Sequence, residues 1–145
     1  MFNTIGKKVQ RIDGYEKVTG KVIYGDDIKI HGMLFAAFRY TDIPCGKIKK
    51  IDISDAEKME GVESIVLFKD IPGAKRVGPI RQDYYPIVND EVFFSGDVVA
   101  VVAAKTKEIA LLAVEKIEIE YEPIEPVTNI EKAVKPDSRF VHPEY

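Results

Sequence analysis

A chain of 145 residues, 46% hydrophobic and 31% charged, carries one domain's worth of sequence and enough apolar side chains for a packed core, which excludes an intrinsically disordered segment. The 21 basic and 24 acidic residues give a net charge of −3 and are interspersed, so no basic stripe invites nucleic acid. No apolar run approaches the roughly 18–20 residues of a membrane span, and the start (MFNTIGKKVQR) has no apolar signal-peptide core, so the expectation is a cytoplasmic protein with neither nucleic-acid nor membrane partners.

Residues 1–25 mix charge with Gly6, Gly14, Gly20 and Gly25 and read as an extended arm with turns, ending in a short strand at Val22–Tyr24. Met33–Tyr40 (MLFAAFRY) reads as a strand apolar enough to be mostly buried. The turn residues Ile43-Pro44-Cys45-Gly46 then suggest a hairpin into Lys47–Ile53. There the apolar spacing changes from three (Ile48 to Ile51) to two (Ile51 to Ile53), which hints at a bulge or a twist. Ser54-Asp55-Ala56-Glu57 has the form of a capping box opening a helix at Asp55–Glu60, with Gly61 as its terminating glycine. Val62–Phe68 follows as a buried strand.

Asp70-Ile71-Pro72-Gly73 is turn chemistry. Residues 74–89 have no clear period, carry Tyr84-Tyr85, and read as a long ordered loop, a kind of segment that tends to be functional. The continuous run Val98–Ala104 (VVAVVAA) predicts a strand buried on both faces. Thr106 is a good N-cap for a helix over Lys107–Lys116, with Ile109, Leu112, Ala113 and Lys116 on one side and Ala110 and Val114 widening the stripe. Ile117, Ile119 and Tyr121 alternate with Glu118, Glu120 and Glu122 as in a half-buried strand, which Pro123 and Pro126 end. Asn129 is placed to cap a helical turn at Ile130–Val134. Two strand–helix–strand units with few short helices predict a mixed α+β domain and not a doubly wound sheet.

No reaction centre emerges from the residues. Gly14–Lys21 (GYEKVTGK) fails as a phosphate loop, with five residues between its glycines where four are needed and Val22 where Ser or Thr belongs. Asp26 and Asp27 are adjacent and would face opposite sides of a strand. The row Glu118, Glu120, Glu122 reads as a solvated face, with a divalent-cation site as the alternative. Cys45 is the single cysteine, so no intrachain disulfide or four-cysteine iron–sulfur centre is available. It reads as a small turn residue, with a lowered thiol pKa as the alternative. His31 and His142 lie far apart in sequence and lack identifiable co-ligands. Ser54, Ser64, Ser95 and Ser138 sit in no nucleophile elbow. Tyr84 and Tyr85 could line a pocket, anchor an interface or pack the loop.

Arg11–Tyr24 (RIDGYEKVTGKVIY) closely resembles the opening of the molybdopterin-binding large subunits of xanthine dehydrogenase- and aldehyde oxidase-type enzymes, whose pattern is R-x-D-G-x-x-K-V-T-G-x-A-x-Y. Arg11, Asp13, Gly14, Lys17, Val18, Thr19, Gly20 and Tyr24 match it, and Val22 departs from the usual Ala. Gly32-Met33-Leu34, Ile51-Asp52, Ala56, Gly61-Val62, Asp70-Ile71-Pro72-Gly73, Gly96–Ala100, Ala104-Lys105-Thr106, Ala110, Ala113 and Tyr121-Glu122 continue the likeness in order. The resemblance implies a single α/β-hammerhead domain over residues 1–145, with a mixed sheet, a glycine-rich arm at 1–25 and a linker at 136–145 where the family's chain passes towards its cofactor-binding domains. It implies a parent oxidoreductase that hydroxylates aldehydes or nitrogen heterocycles at a molybdenum–molybdopterin centre, with 2Fe-2S clusters and FAD on partner domains or subunits. The expected partners are the pterin-binding domains of the same large subunit and the iron–sulfur and flavin subunits. The family's pterin loops and catalytic glutamate have no counterpart among these residues. No catalytic, cofactor-binding or metal-binding residue is therefore assigned to this chain, which is expected to be inactive alone. The alternative is a free-standing small-ligand or protein-interaction module on the same fold.

Overall fold

The computed structural model of the chain describes residues 4–143, and the chain divides between Met33 and Leu34 into two compact units. In the first, helix α1 (Gly14–Val18) replaces the predicted extended arm, and a 3-10 turn follows at Gly25–Asp27. Asp13 receives Lys17 Nζ at 2.6 Å and the Arg11 guanidinium, which ties the helix start to its own last turn. The far end closes with Gly20 N donating to Lys17 O and Lys21 N donating to Glu16 O, while Gly20 takes φ +69°. That is a Schellman ending, and it requires a residue free to adopt positive φ. The R-x-D-G-x-x-K-x-T-G pattern is thus a self-closing helical turn. It is too short for apolar periodicity to announce it. Val22–Tyr24 is not a strand. Among residues 4–33 no side chain is buried.

In the second unit the expected mixed sheet is instead two antiparallel sheets, joined by the expected strand–helix–strand units. Among the described residues, β1 (Phe35–Tyr40), β5 (Val98–Ala104) and β3 (Val62–Leu67) form one, with β5 in the centre. β4 (Glu91–Val92), β2 (Gly46–Asp52) and β6 (Glu118–Pro123) form the other, with β2 in the centre. Helix α2 (Ser54–Glu57) joins β2 to β3 and helix α3 (Lys107–Glu115) joins β5 to β6, so each strand–helix–strand unit passes from one sheet to the other. A last helical turn, α4, spans Ile130–Ala133. No helix among the described residues is long and apolar enough to cross a membrane.

The predicted hairpin at Ile43–Gly46 does not form. β1 pairs with β5, Phe35 opposite Ala104, and the intervening turn carries the chain into the second sheet. Gly46 sits there between Val92 and Pro123. A Cβ at Gly46 would lie 2.6 Å from both the Glu122 carbonyl oxygen and Ile43 Cδ1. Gly46→Ala is therefore expected to push β2 from β6 and cost about 2 kcal/mol, the usual scale of overpacking. An unchanged urea midpoint would contradict it.

The core lies between α3 and the first sheet. Ala110, Ala113 and Val114 of α3 pack with Ala37, Ala100, Val102, Ala104, Ala56 and Ile117. The buried stripe is Ala110, Ala113, Val114, Ile117, one residue on from the predicted face. Leu112 and Lys116 are exposed. Alanines on both sides let the helix backbone approach the sheet closely, which favours this stripe over the leucines. The expected caps form: Thr106 Oγ1 accepts from Ile109 N at 3.3 Å and Asn129 Oδ1 from Lys132 N at 2.8 Å. The Ser54–Glu57 capping box does not. Ile53 stands at the N-cap, and Asp52 Oδ1 takes the Ser54 amide at 3.1 Å. The helix stops at Glu57 with Lys58 as its C-cap, short of the expected Glu60, so Gly61 at φ +89° shapes the turn into β3 and does not close the helix, while the register of β2 on β6 shifts between Ile48 and Lys50 as expected.

Candidate functional site

The loop of residues 74–89 is closed by a bridge between Val77 and Tyr84, with backbone bonds of 2.8 and 3.1 Å. It starts from a braced turn. Asp70 Oδ2 accepts from Leu67 N at 2.9 Å, and Lys75 Nζ donates to the carbonyls of Phe68 (3.0 Å) and Ile71 (2.6 Å). At the other end Val88 N donates to Val98 O at 2.8 Å, and Ile87 and Val88 are buried. The loop is therefore anchored at both ends.

The tyrosine pair splits. Tyr84 is half-exposed, whereas Tyr85 enters a row of rings: Phe68 at 5.8 Å, Phe93 at 6.4 Å and parallel to within 2°, then His142 at 6.1 Å from Phe93. The Arg76 guanidinium stands 4.7 Å over the Tyr85 ring, a cation–π arrangement. A cleft of about 210 Å³ opens here, lined by Arg76, Tyr85, Glu91, Phe93, Val141 and His142 among others. Beside it, the Arg139 guanidinium donates to both the Cys45 thiol and the Glu91 carboxylate. Cys45 is buried, so it is a packed turn residue that receives an arginine. Phe93 and Arg139 carried no motif in the sequence, since their partners come from distant segments.

Asp97 holds this region in place. Its buried carboxylate accepts from Phe93 N at 2.7 Å and Phe94 N at 3.2 Å. Its carbonyl accepts from Thr41 N at 2.9 Å, and Thr41 Oγ1 in turn meets Phe94 O and Gly96 N, each at 3.3 Å. Burial raises the Asp97 pKa above the ordinary carboxylate value, against the two amides that lower it. The preceding Gly96, at φ +104°, supplies the turn.

Gly14–Lys21 is the capped helix described above, and Asp27 Oδ2 takes the Tyr24 amide at 2.9 Å. His31 is exposed in its turn. Glu118, Glu120 and Glu122 face solvent, with Lys49 paired to Glu122, and the register sets Lys50 opposite Glu120. Among the described residues no group of three His, Cys, Asp or Glu side chains converges to hold a metal ion. With Cys45 committed to packing, the donors present do not fit a molybdenum or iron–sulfur group, and no catalytic step is assigned to them.

Known proteins share nearly all of this architecture. Residues 19–125 match the family described as aldehyde oxidase and xanthine dehydrogenase, a/b hammerhead domain. A probable xanthine dehydrogenase subunit of Bacillus subtilis is 39% identical over 132 residues, which is 91% of this chain and 18% of that protein. The nicotinate dehydrogenase large molybdopterin subunit of Eubacterium barkeri is 35% identical over 97% of this chain and 33% of its own length. Among solved structures, the Cu,Mo-CO dehydrogenase superposes with a TM-score of 0.88 at 30% identity, covering 96% of this chain and 18% of that one. The aldehyde oxidoreductase of Desulfovibrio gigas gives 0.83 at 30% identity over 92% and 16%. The chain therefore spans between about a sixth and a third of the length of these relatives.

Proposed function

Because this chain belongs to the aldehyde oxidase and xanthine dehydrogenase a/b hammerhead family, we propose that it is the amino-terminal structural domain of a molybdenum hydroxylase large subunit and that it does not perform the reaction itself. The observation that carries this reading is the extent of the match: nearly all of this chain aligns, in order, with a minor part of much longer relatives. The parent would hydroxylate an aldehyde or nitrogen heterocycle. Molybdenum–molybdopterin would be held by the pterin-binding domains, with 2Fe-2S clusters and FAD on partner domains or subunits. The contribution of this chain is packing.

Two features suit that role. In the unit ending at Met33, Ile12, Val18 and Ile23 are at least three-quarters exposed, on a segment with no buried side chain. Apolar side chains left in water on one segment mark an interaction surface. The loop of residues 74–89 offers a second surface, anchored at both ends.

The test is co-expression with the remainder of the Bacillus subtilis relative. The two should co-purify, and the melting temperature of this chain should rise by several degrees, since a partner that binds only the folded state stabilises it. Failure to associate would overturn the reading. Stabilisation of the isolated chain by a heterocycle, aldehyde or nucleotide would instead favour a free-standing ligand module built on the cleft beside Tyr85.

A further inference from the structure

The two sheets present four edges, and three of them are guarded. β4 is only two residues long. β6 carries Glu118, Glu120 and Glu122 and ends at Pro123. β3 has a register shift between Val62 and Ser64 and carries Glu63, paired with Lys105 at 3.3 Å. Short length, charge, proline and bulges are the devices that keep an open edge from pairing.

β1 lacks most of them. Its sequence is Phe-Ala-Ala-Phe-Arg-Tyr, regular on β5 from Phe35 to Arg39, and among the described residues it has a strand partner on one side only. Its one charge is spent. The Arg39 guanidinium donates to Ile117 O (3.2 Å), Tyr40 O (2.7 Å) and both oxygens of Asp42 (3.0 and 2.6 Å), and the side chain is 20% exposed. Phe38 and Tyr40 lie on the same sheet face with ring centroids 6.1 Å apart, and each is about half exposed. At the carboxyl end of this strand lies a groove of about 350 Å³, formed by Phe38 to Asp42 with Val114 and Glu115 of α3. The exposed Leu111 extends its helical flank one turn before Val114.

We infer that the open edge of β1 receives an extended, apolar segment from the rest of the large subunit, added as a fourth strand to the β1–β5–β3 sheet. The inference rests on the reading given under Proposed function. It takes its occupant from the length of chain that the relatives have beyond this domain. Main-chain hydrogen bonds to the edge would supply affinity, and alternate side chains would settle on Phe38 and against the Val114 flank. An open edge strand with half-exposed aromatic side chains is a template for pairing with another extended segment.

The test measures amide hydrogen exchange in this chain, alone and in complex with the remainder of the Bacillus subtilis relative. Alone, the outward-pointing amides of β1 should exchange fast at every protein concentration. In the complex they should slow at least tenfold. Phe38→Lys should weaken the complex about tenfold, the scale on which a buried aromatic anchor counts. Ser64→Lys on the opposite edge should leave the affinity as it was. A complex in which β1 stays unprotected overturns the edge assignment and leaves the domain reading standing. Protection that appears in the isolated chain as its concentration rises would assign the edge to a second copy and overturn it as well. If no complex forms, both readings fall together.

Discussion

Asp97→Ala is expected to lower stability by about 3 kcal/mol, because two part-buried backbone amides lose a charged acceptor and only one small cavity replaces it. For a chain of this size that corresponds to a drop of about 10 °C in the melting temperature. The carboxylate takes the amides of Phe93 and Phe94, and the Asp97 backbone ties Thr41 to the same turn. Loosening it frees the Phe93 ring that stacks between Tyr85 and His142, so the near-ultraviolet signal of the aromatic row should weaken too. Asp97→Asn keeps one acceptor and should cost less. The pair also gives a pH signature. Burial raises the Asp97 pKa, so the pH-linked part of its contribution, separate from the two amide bonds, is fully present below the ordinary carboxylate range and is lost as pH rises through the folded value. The stability of the native protein relative to Asp97→Asn should therefore improve as pH falls towards about 4. Groups with lowered pKa, such as Asp42 beside Arg39, act the opposite way but equally in both proteins, so they cancel in the difference. An Asp97→Ala variant melting within about 2 °C of the parent, well short of the shift a lost clamp implies, would show that the clamp is dispensable.

Ile117→Ala should cost about 3 kcal/mol, within the range for deleting buried aliphatic volume. Ile117 is 1% exposed and packs where α3 hands the chain to β6. Its carbonyl also takes Arg39 Nε at 3.2 Å, so the corner joins the core to the arginine that braces the end of β1. Leu112→Ala, on the exposed side of the same helix, should change stability by less than about 1 kcal/mol, as surface substitutions do. The comparison of their denaturant midpoints checks the stripe. Equal losses would mean that the helix turns the face centred on Leu112 inward.

The helical caps separate what residues announce from what they conceal. Thr106 and Asn129 cap as expected because a side chain and an amide three residues on need nothing else. Ser54–Glu57 has the same form and fails, because Asp52 reaches the Ser54 amide first and is itself held by Lys50 at 3.0 Å. A local rule was overruled by a neighbour it does not consider. At the candidate site the loop of residues 74–89 and Tyr85 were visible as unusual sequence. Their partners Phe93 and His142 were not, since ring stacking between separate segments leaves no period.

Residue order alone was enough to specify the buried strand Val98–Ala104, the helix behind Thr106, the bulge in β2, the turn at Gly61 and the family motif at Arg11–Tyr24. These rest on periodicity, caps and backbone freedom that act within a few residues. It took the folded arrangement to part β1 and β2 into different sheets, to make Ala110, Ala113 and Val114 the buried stripe, and to leave β1 with an open edge among the described residues. Pairing partners far apart in the chain are chosen by competition among all the strands for the same edges and the same apolar cover. That competition is settled by packing in three dimensions.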